Sequence, residues 1–88
     1  MTELINEKVS VVTVFDHQAP KNVVLPWKIK WQGRIYTVQK LGYHHTLREG
    51  RKLLHIFSVT DGSLDFRLRL DTETLHWTLE EICDETTH

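Results

Sequence analysis

The chain has 88 residues, which is room for one domain and excludes folds that need two cores. Apolar residues make up 40% of the sequence and charged residues 26%, so the composition is that of a globular domain and not of a disordered chain. Eleven Lys and Arg against twelve Asp and Glu give a net charge of −1, which removes any global electrostatic argument for nucleic acid or a membrane as partner.

Domain limits and cellular location follow from the ends of the sequence and from its cysteine content. We expect a single domain over residues 1–88, with its core at about 8–82 and frayed termini. No apolar run fits a secretory signal or a membrane-spanning helix, so no membrane partner is predicted. Cys83 is the only cysteine, which excludes an intrachain disulfide and fits a reducing compartment. We therefore expect a cytoplasmic protein.

Alternation of apolar and polar residues predicts β-strands along most of the chain. The predicted strands lie at 9–15, 27–31, 34–38, 53–59, 64–70 and 75–79. A further strand follows Gly42 if Glu49-Gly50 forms a two-residue loop, and residues 23–25 could add a short edge strand. The glycines lie at expected turns or bends, and Asp61-Gly62 is a dipeptide favoured in tight hairpins. The sequence predicts an all-β fold of about six antiparallel strands in a meander, forming a curled sheet or small open barrel.

Short loops fix which residues of neighbouring strands lie opposite each other, and opposed residues share a face. With two-residue loops at Gln32-Gly33 and Asp61-Gly62 and a four-residue turn at 71–74, these three hairpins agree on one apolar core face. The predicted pairs are Trp27 with Val38, Ile29 with Tyr36, Val59 with Leu64, Leu70 with Leu75 and, if Glu49-Gly50 also forms a two-residue loop, His44 with His55.

The outer face of this sheet has aliphatic residues at its centre and aromatic and basic residues around them, a composition favoured at protein interfaces. We predict a non-enzymatic protein-interaction or self-assembly module that binds a partner protein or a second copy of itself. The predicted interaction face consists of Tyr43, His45, Leu54, Ile56, Arg67, Arg69 and His76. The alternative is that another element of the chain covers Leu54 and Ile56.

A second hypothesis comes from the uneven distribution of charge along the chain. Residues 28–52 contain seven Lys and Arg and one Glu, whereas residues 53–88 contain two Arg and eight Asp and Glu. Basic residues near aromatic ones suit a single-stranded nucleic-acid-binding small β-barrel, because bases stack on rings while cations contact phosphates. The residues for this function are Lys28, Lys30, Arg34, Arg48, Arg51 and Lys52. The predicted place of Trp27 in the core argues against it.

A third hypothesis is a histidine-based metal-binding domain, because the chain contains six histidines. The predicted register brings His44 and His55 together on the core side, close enough to share an ion. No third ligand is evident, and no cofactor is predicted. The sequence also lacks the usual nucleophile, phosphate-loop and metalloprotease motifs, so we do not predict an enzyme or catalytic residues.

One stretch of the sequence resembles a known family. Residues 31–38 read Trp-Gln-Gly-Arg-Ile-Tyr-Thr-Val, and the run Trp-x-Gly-Arg-x-Tyr-x-Val is similar to the opening hairpin of a family of small uncharacterised bacterial β-domains. The strands of that family end in Trp-x-Leu, as residues 77–79 do here, and the likeness covers residues 26–82. This chain departs from the family pattern at residues 42–45 and 71–75. The resemblance implies a β-domain and no particular activity.

Overall fold

The computed structural model describes residues 2–15 and 24–84, which form seven antiparallel strands in one sheet and no helix. The strands are β1 (Thr2–Phe15), β2 (Val24–Trp31), β3 (Arg34–Thr37), β4 (Lys40–Glu49), β5 (Lys52–Thr60), β6 (Leu64–Asp71) and β7 (Trp77–Asp84). Their order across the sheet is β3-β2-β1-β7-β6-β5-β4. The predicted all-β meander in a curled sheet is confirmed. Of the C-terminal residues 84–88 that were expected to fray, Asp84 pairs with Leu64 at the end of β7, and residues 85–88 lie outside the described residues.

Two long segments change partners along their length, and this curls the sheet. β1 pairs with β7 through Val9 and with β2 from Ser10 onward. Between β3 and β4, Val38 donates its N–H to Trp27 O at 2.8 Å, and Gln39 donates to Thr60 O at 2.8 Å. The chain therefore leaves β2 for β5 at this point. The sheet stays open, and we call the gap between the β1–β2 end and the start of β4 the seam.

The hydrophobic core lies inside the curl, where strands from both ends of the sheet face each other. Tyr36 of β3 packs on Phe66 of β6 with ring centroids 5.1 Å apart. The buried core residues are Ile29, Phe57, Val59, Phe66, Leu68, Leu70, Trp77, Leu79 and Ile82. Because β2 and β3 fold over β5–β7, a sheet of this size buries its apolar face without a helix.

The hairpin registers are partly confirmed. Gln32 and Gly33 both have positive φ, as a type I′ turn requires, and Ile29 pairs with Tyr36 as predicted. After β5, however, Val59 pairs with Phe66 and not with Leu64. The loop is longer because Asp61 Oδ1 accepts the backbone N–H groups of Ser63 and Leu64, both at 2.8 Å. This shift of two residues leaves every side chain on its predicted face.

The β6–β7 connection departs from prediction in the same way. Asp71 Oδ1 accepts the N–H of Glu73 at 2.9 Å, and that bond, with help from Thr74 and Lys52, lowers the pKa of Asp71. Leu70 consequently pairs with Trp77, and the predicted pairing with Leu75 is wrong. Leu75 is 71% exposed and has a φ of 61°.

Replacing Leu75 with glycine is expected to stabilise the protein. A leucine with positive φ is strained, whereas glycine adopts this conformation freely, so Leu75→Gly should raise the free energy of unfolding by about 0.5–1 kcal/mol. Urea denaturation of wild type and variant measures the change. Glu73→Gly, in the same exposed loop but without positive φ, is the matched control and should lower stability. An equal loss in both variants would contradict the strain assigned to Leu75.

The first two strands differ from prediction in extent and in one orientation. β1 begins at Thr2, so the residues expected to fray at the N-terminus pair with β7 instead. β2 is continuous from Val24, so residues 24–25 of the separate edge strand expected at 23–25 belong to it, while residue 23 lies outside the described residues. The register between β1 and β2 shifts between Val12 and Thr13, and the buried residue beside this irregularity is Pro26. Trp27 is 50% exposed, so its predicted place in the core is wrong.

Candidate binding surface

The predicted interaction face exists, but its apolar centre is not on the surface. Tyr43, His45 and Leu47 of β4 lie opposite Ser58, Ile56 and Leu54 of β5, as the face assignment requires. Leu54 is 4% exposed and Ile56 is 2% exposed. The chain itself therefore covers both side chains, and the prediction that they form the contact centre of an interaction face is corrected.

The two arginines of that face are neutralised within the chain. Arg67 Nε lies 3.2 Å from Glu80 Oε1, and Arg69 donates to Glu80 Oε2 at 3.2 Å. Arg67 also lies 3.7 Å from Glu81. Tyr43 remains exposed and packs on the His45 ring at a centroid distance of 5.0 Å, while His76 lies in the exposed loop before β7. On this face Tyr43 and His76 are therefore isolated exposed side chains, while both arginines are paired and the apolar centre is buried.

A different group of exposed apolar side chains lies on the outward side of β1–β3 and along the seam. Five of the nine large hydrophobic residues that are exposed in the described ranges belong to it. We call this group, together with the lysines between its members, the seam patch. Its members are Val12, Val14, Trp27, Ile35 and Leu41, with Lys28, Lys30 and Lys40.

Two clefts join these residues into one surface. One has a volume of about 180 Å³ and includes Val12, Ile35 and both lysines of β2 in its lining. The other, about 300 Å³, lies in the seam itself, and Val14, Trp27 and Leu41 are among the residues that line it. Because Val12 and Val14 are two residues apart in one strand, they point to the same side and connect the clefts.

The seam patch is basic, and its charge is least balanced at Lys28 and Lys30, since Lys40 also lines a third cleft with Asp65 and Glu81. No Asp or Glu of the described chain lines either cleft. Lys28, Lys30 and Lys40 form no ion pair with a described carboxylate. Lys28 Nζ lies 5.1 Å from the centre of the exposed Trp27 ring, a cation–π distance. The patch therefore presents apolar surface and available positive charge together.

The predicted nucleic-acid residues divide into two groups. Lys28 and Lys30 lie on β2 beside Trp27, and Arg34 follows at the start of β3. Arg48, Arg51 and Lys52 lie at the β4–β5 turn, at the end of β4 that is farther along the chain from β3. Lys52 is also paired with Asp71 at 3.4 Å. The structure thus places Lys28 of the first group against an aromatic ring and puts the two groups at different turns of the sheet.

The two core-side histidines do meet, though not as directly opposed residues. His44 pairs with Phe57 and His55 with Thr46, yet His44 Nε2 lies 2.8 Å from His55 Nδ1 and the rings are stacked. That separation is a hydrogen-bond distance between the two imidazoles. In the described part of the chain, no group of three or more His, Cys, Asp or Glu is arranged to hold a metal ion.

Comparison of the chain with protein-family models, curated proteins and solved structures gives no match. The resemblance of residues 31–38 to a bacterial β-domain family stays a prediction. No helix in the described ranges is long and apolar enough to cross a membrane.

Sequence reasoning identified Lys28 and Lys30 of the seam patch and missed Lys40 and the apolar residues. Five of the six residues from Val9 to Val14 are valine or threonine. In such a run, alternation of apolar and polar residues does not tell which side is outward. A usable signal was the pairing of Ile35 with Lys30, which places Ile35 among outward lysines.

Proposed function

We propose that this chain is a non-enzymatic protein-interaction module and that the seam patch is its contact surface. The observation that carries the proposal is the grouping of exposed apolar side chains, including Trp27 at 50% and Ile35 at 64% exposure, on one outward face. Single exposed hydrophobic residues are normal on soluble proteins, whereas a contiguous apolar surface with a charged border is typical of interaction sites.

The charges of the patch specify the kind of partner surface that fits. Lys28 and Lys30 line a cleft that contains no described acidic residue, so carboxylates of a partner suit them. Lys40 differs, because it also lines a cleft with Asp65 and Glu81. An apolar partner surface with acidic residues at its border complements the patch.

Site-specific photo-crosslinking in cells that express the chain tests this proposal. A benzoylphenylalanine placed at Ile35 should form adducts with a partner, and the same group at the exposed Glu73 is the control, because it lies outside the patch. Adducts at position 35 that protease removes and nuclease does not would support the proposal. Equal adduct patterns at both positions, or none at position 35, would refute it.

The exposed Trp27 beside Lys28 favours one second candidate, a surface for single-stranded nucleic acid. If this candidate is correct, a labelled oligothymidylate should bind in fluorescence anisotropy, and its affinity should fall steeply as salt rises. Lys28→Glu and Lys30→Glu should weaken binding, whereas Arg51→Glu at the distant turn should not. Absence of binding at low salt would eliminate this candidate.

A further inference from the structure

We infer that the outer edge of β3 binds an extended segment of a partner protein, which adds to the sheet as an antiparallel strand and carries carboxylates on either side of two aliphatic residues. This inference rests on the proposed function and specifies how a partner engages the seam patch at Ile35. The backbone of β3, the exposure of its side chains and the charges around it support the assignment.

The backbone of β3 has donors and acceptors on the side away from β2. β3 is the last strand in the sheet order and, within the described chain, pairs only with β2. Val38 donates its N–H to Trp27 O, so the backbone groups of Val38 face β2. Backbone groups of successive strand residues point to opposite edges, so those of Ile35 and Thr37 face away from β2. Such an edge can pair with an added strand.

The side chains along this edge are accessible. Arg34, Ile35 and Thr37 are exposed, and Tyr36 is half-buried. β3 follows the turn at the opposite end of β2 from Val24, where the described chain resumes after residue 15. Because Ile35 is an exposed apolar side chain in the middle of the edge, an aliphatic residue placed opposite it would be buried together with it.

The charges around β3 select a partner with carboxylates. Residues 24–48 contain no Asp or Glu. Lys28 and Lys30 lie beside β3 on β2, and Arg34 begins β3 itself. None of these three cations forms an ion pair with a described carboxylate. Carboxylates on an added strand would therefore meet three unneutralised cations.

An antiparallel register fixes the order of side chains in the added strand. Aliphatic residues fit opposite Ile35, on the outward side, and opposite Tyr36, on the other side. A carboxylate opposite Arg34 meets its guanidinium. A carboxylate opposite Thr37 lies on the same side as Lys28, the β2 neighbour of Thr37. The occupant therefore reads acidic, aliphatic, aliphatic, acidic.

A second copy of this chain is a poorer occupant of the same edge. A two-fold antiparallel pair of β3 strands centred on Ile35 would bury that side chain against its copy. It would also bring Lys28, Lys30 and Arg34 of both copies to one interface, where β2 and β3 offer no carboxylate. Like charges gathered in this way oppose association.

A fluorescein-labelled peptide with the core Glu-Val-Val-Glu tests the inference by anisotropy. In the proposed register, the amides of the first glutamate and the second valine face β3, and the other two point away. N-methylation of the first pair should weaken binding about tenfold or more, because it removes strand pairing and leaves the side chains. N-methylation of the other pair is the matched control and should change affinity by about twofold or less.

Substitutions in the chain test the same edge from the protein side. Thr37→Pro removes the outward N–H and leaves the pairing with β2, so it should weaken peptide binding about tenfold. Arg34→Glu should weaken binding comparably, and a peptide with lysine in place of its last glutamate should restore it. Arg51→Glu, which removes an exposed cation at the β4–β5 turn, is the control and should leave affinity unchanged.

Each other outcome contradicts the inference in an identifiable way. Equal binding of the two N-methylated peptides would exclude strand addition, and unchanged binding to Arg34→Glu would place the site elsewhere. Self-association in analytical ultracentrifugation that Thr37→Pro abolishes would make the occupant a second copy. If no peptide binds at millimolar concentration but position 35 still crosslinks to protein in cells, the inference fails and the proposed function stands. If neither result is obtained and oligothymidylate binds, both fail and the surface is one for nucleic acid.

Discussion

Phe57→Ala is expected to destabilise the protein more than any surface change. The Phe57 side chain is completely buried and contacts the rings of His44 and Trp77 at centroid distances of 4.6 and 5.4 Å. Removing a buried phenylalanine costs about 3–5 kcal/mol, a large part of the roughly 5–15 kcal/mol that stabilises a typical domain. The melting temperature should fall by roughly 15–30 °C in differential scanning calorimetry.

Tyr43→Ala is the control for this prediction, since Tyr43 is an exposed aromatic residue on the neighbouring strand. Its loss should change stability by less than about 1 kcal/mol. Similar melting temperatures for the two variants would contradict the placement of Phe57 in the core inside the curl.

The second large effect is expected on the opposite face of the same strand. Ile56 is 2% exposed, so Ile56→Ala should lower the free energy of unfolding by about 2–4 kcal/mol in urea denaturation. If Ile56 instead formed the open centre of an interaction face, the same substitution would cost only about 0.5 kcal/mol. The measurement therefore decides whether this side chain is structural or available to a partner.

Leu47→Ala serves as the matched control for Ile56→Ala. Leu47 lies on the same face in the neighbouring strand and is 47% exposed. We expect Leu47→Ala to lower the free energy of unfolding much less than Ile56→Ala does. If both variants lowered the free energy of unfolding only slightly, Ile56 would be exposed, and the interaction face predicted from the sequence would be supported.

The fold was predictable because alternation with a period of two is strong in most strands. In β6, Leu64, Phe66, Leu68 and Leu70 alternate with charged residues, which identifies both the strand and its inward side. Loop length was less predictable. The carboxylates of Asp61 and Asp71 each bind backbone N–H groups and hold extra residues in the loops, and residue counting does not reveal this.

The candidate surface was predictable only in part, for a similar physical reason. Lys28, Lys30 and Arg34 are evident from charge, but the register shift beside Pro26 turns Trp27 outward against its alternation with Ile29. The burial of Leu54 and Ile56 depends on contacts made by other parts of the chain. Sequence alternation assigns a residue to a side of the sheet and does not report what covers that side.

We propose that the seam patch, and not the face around Ile56, contacts a partner. Hydroxyl-radical footprinting of the purified protein and of the protein inside expressing cells measures this at each side chain. In the purified protein we expect Trp27, Ile35 and Tyr43 all to be oxidised. In cells, oxidation should fall at Trp27 and Ile35 and stay unchanged at Tyr43. Equal oxidation of Trp27 and Ile35 in both samples, or protection confined to Tyr43, would contradict it.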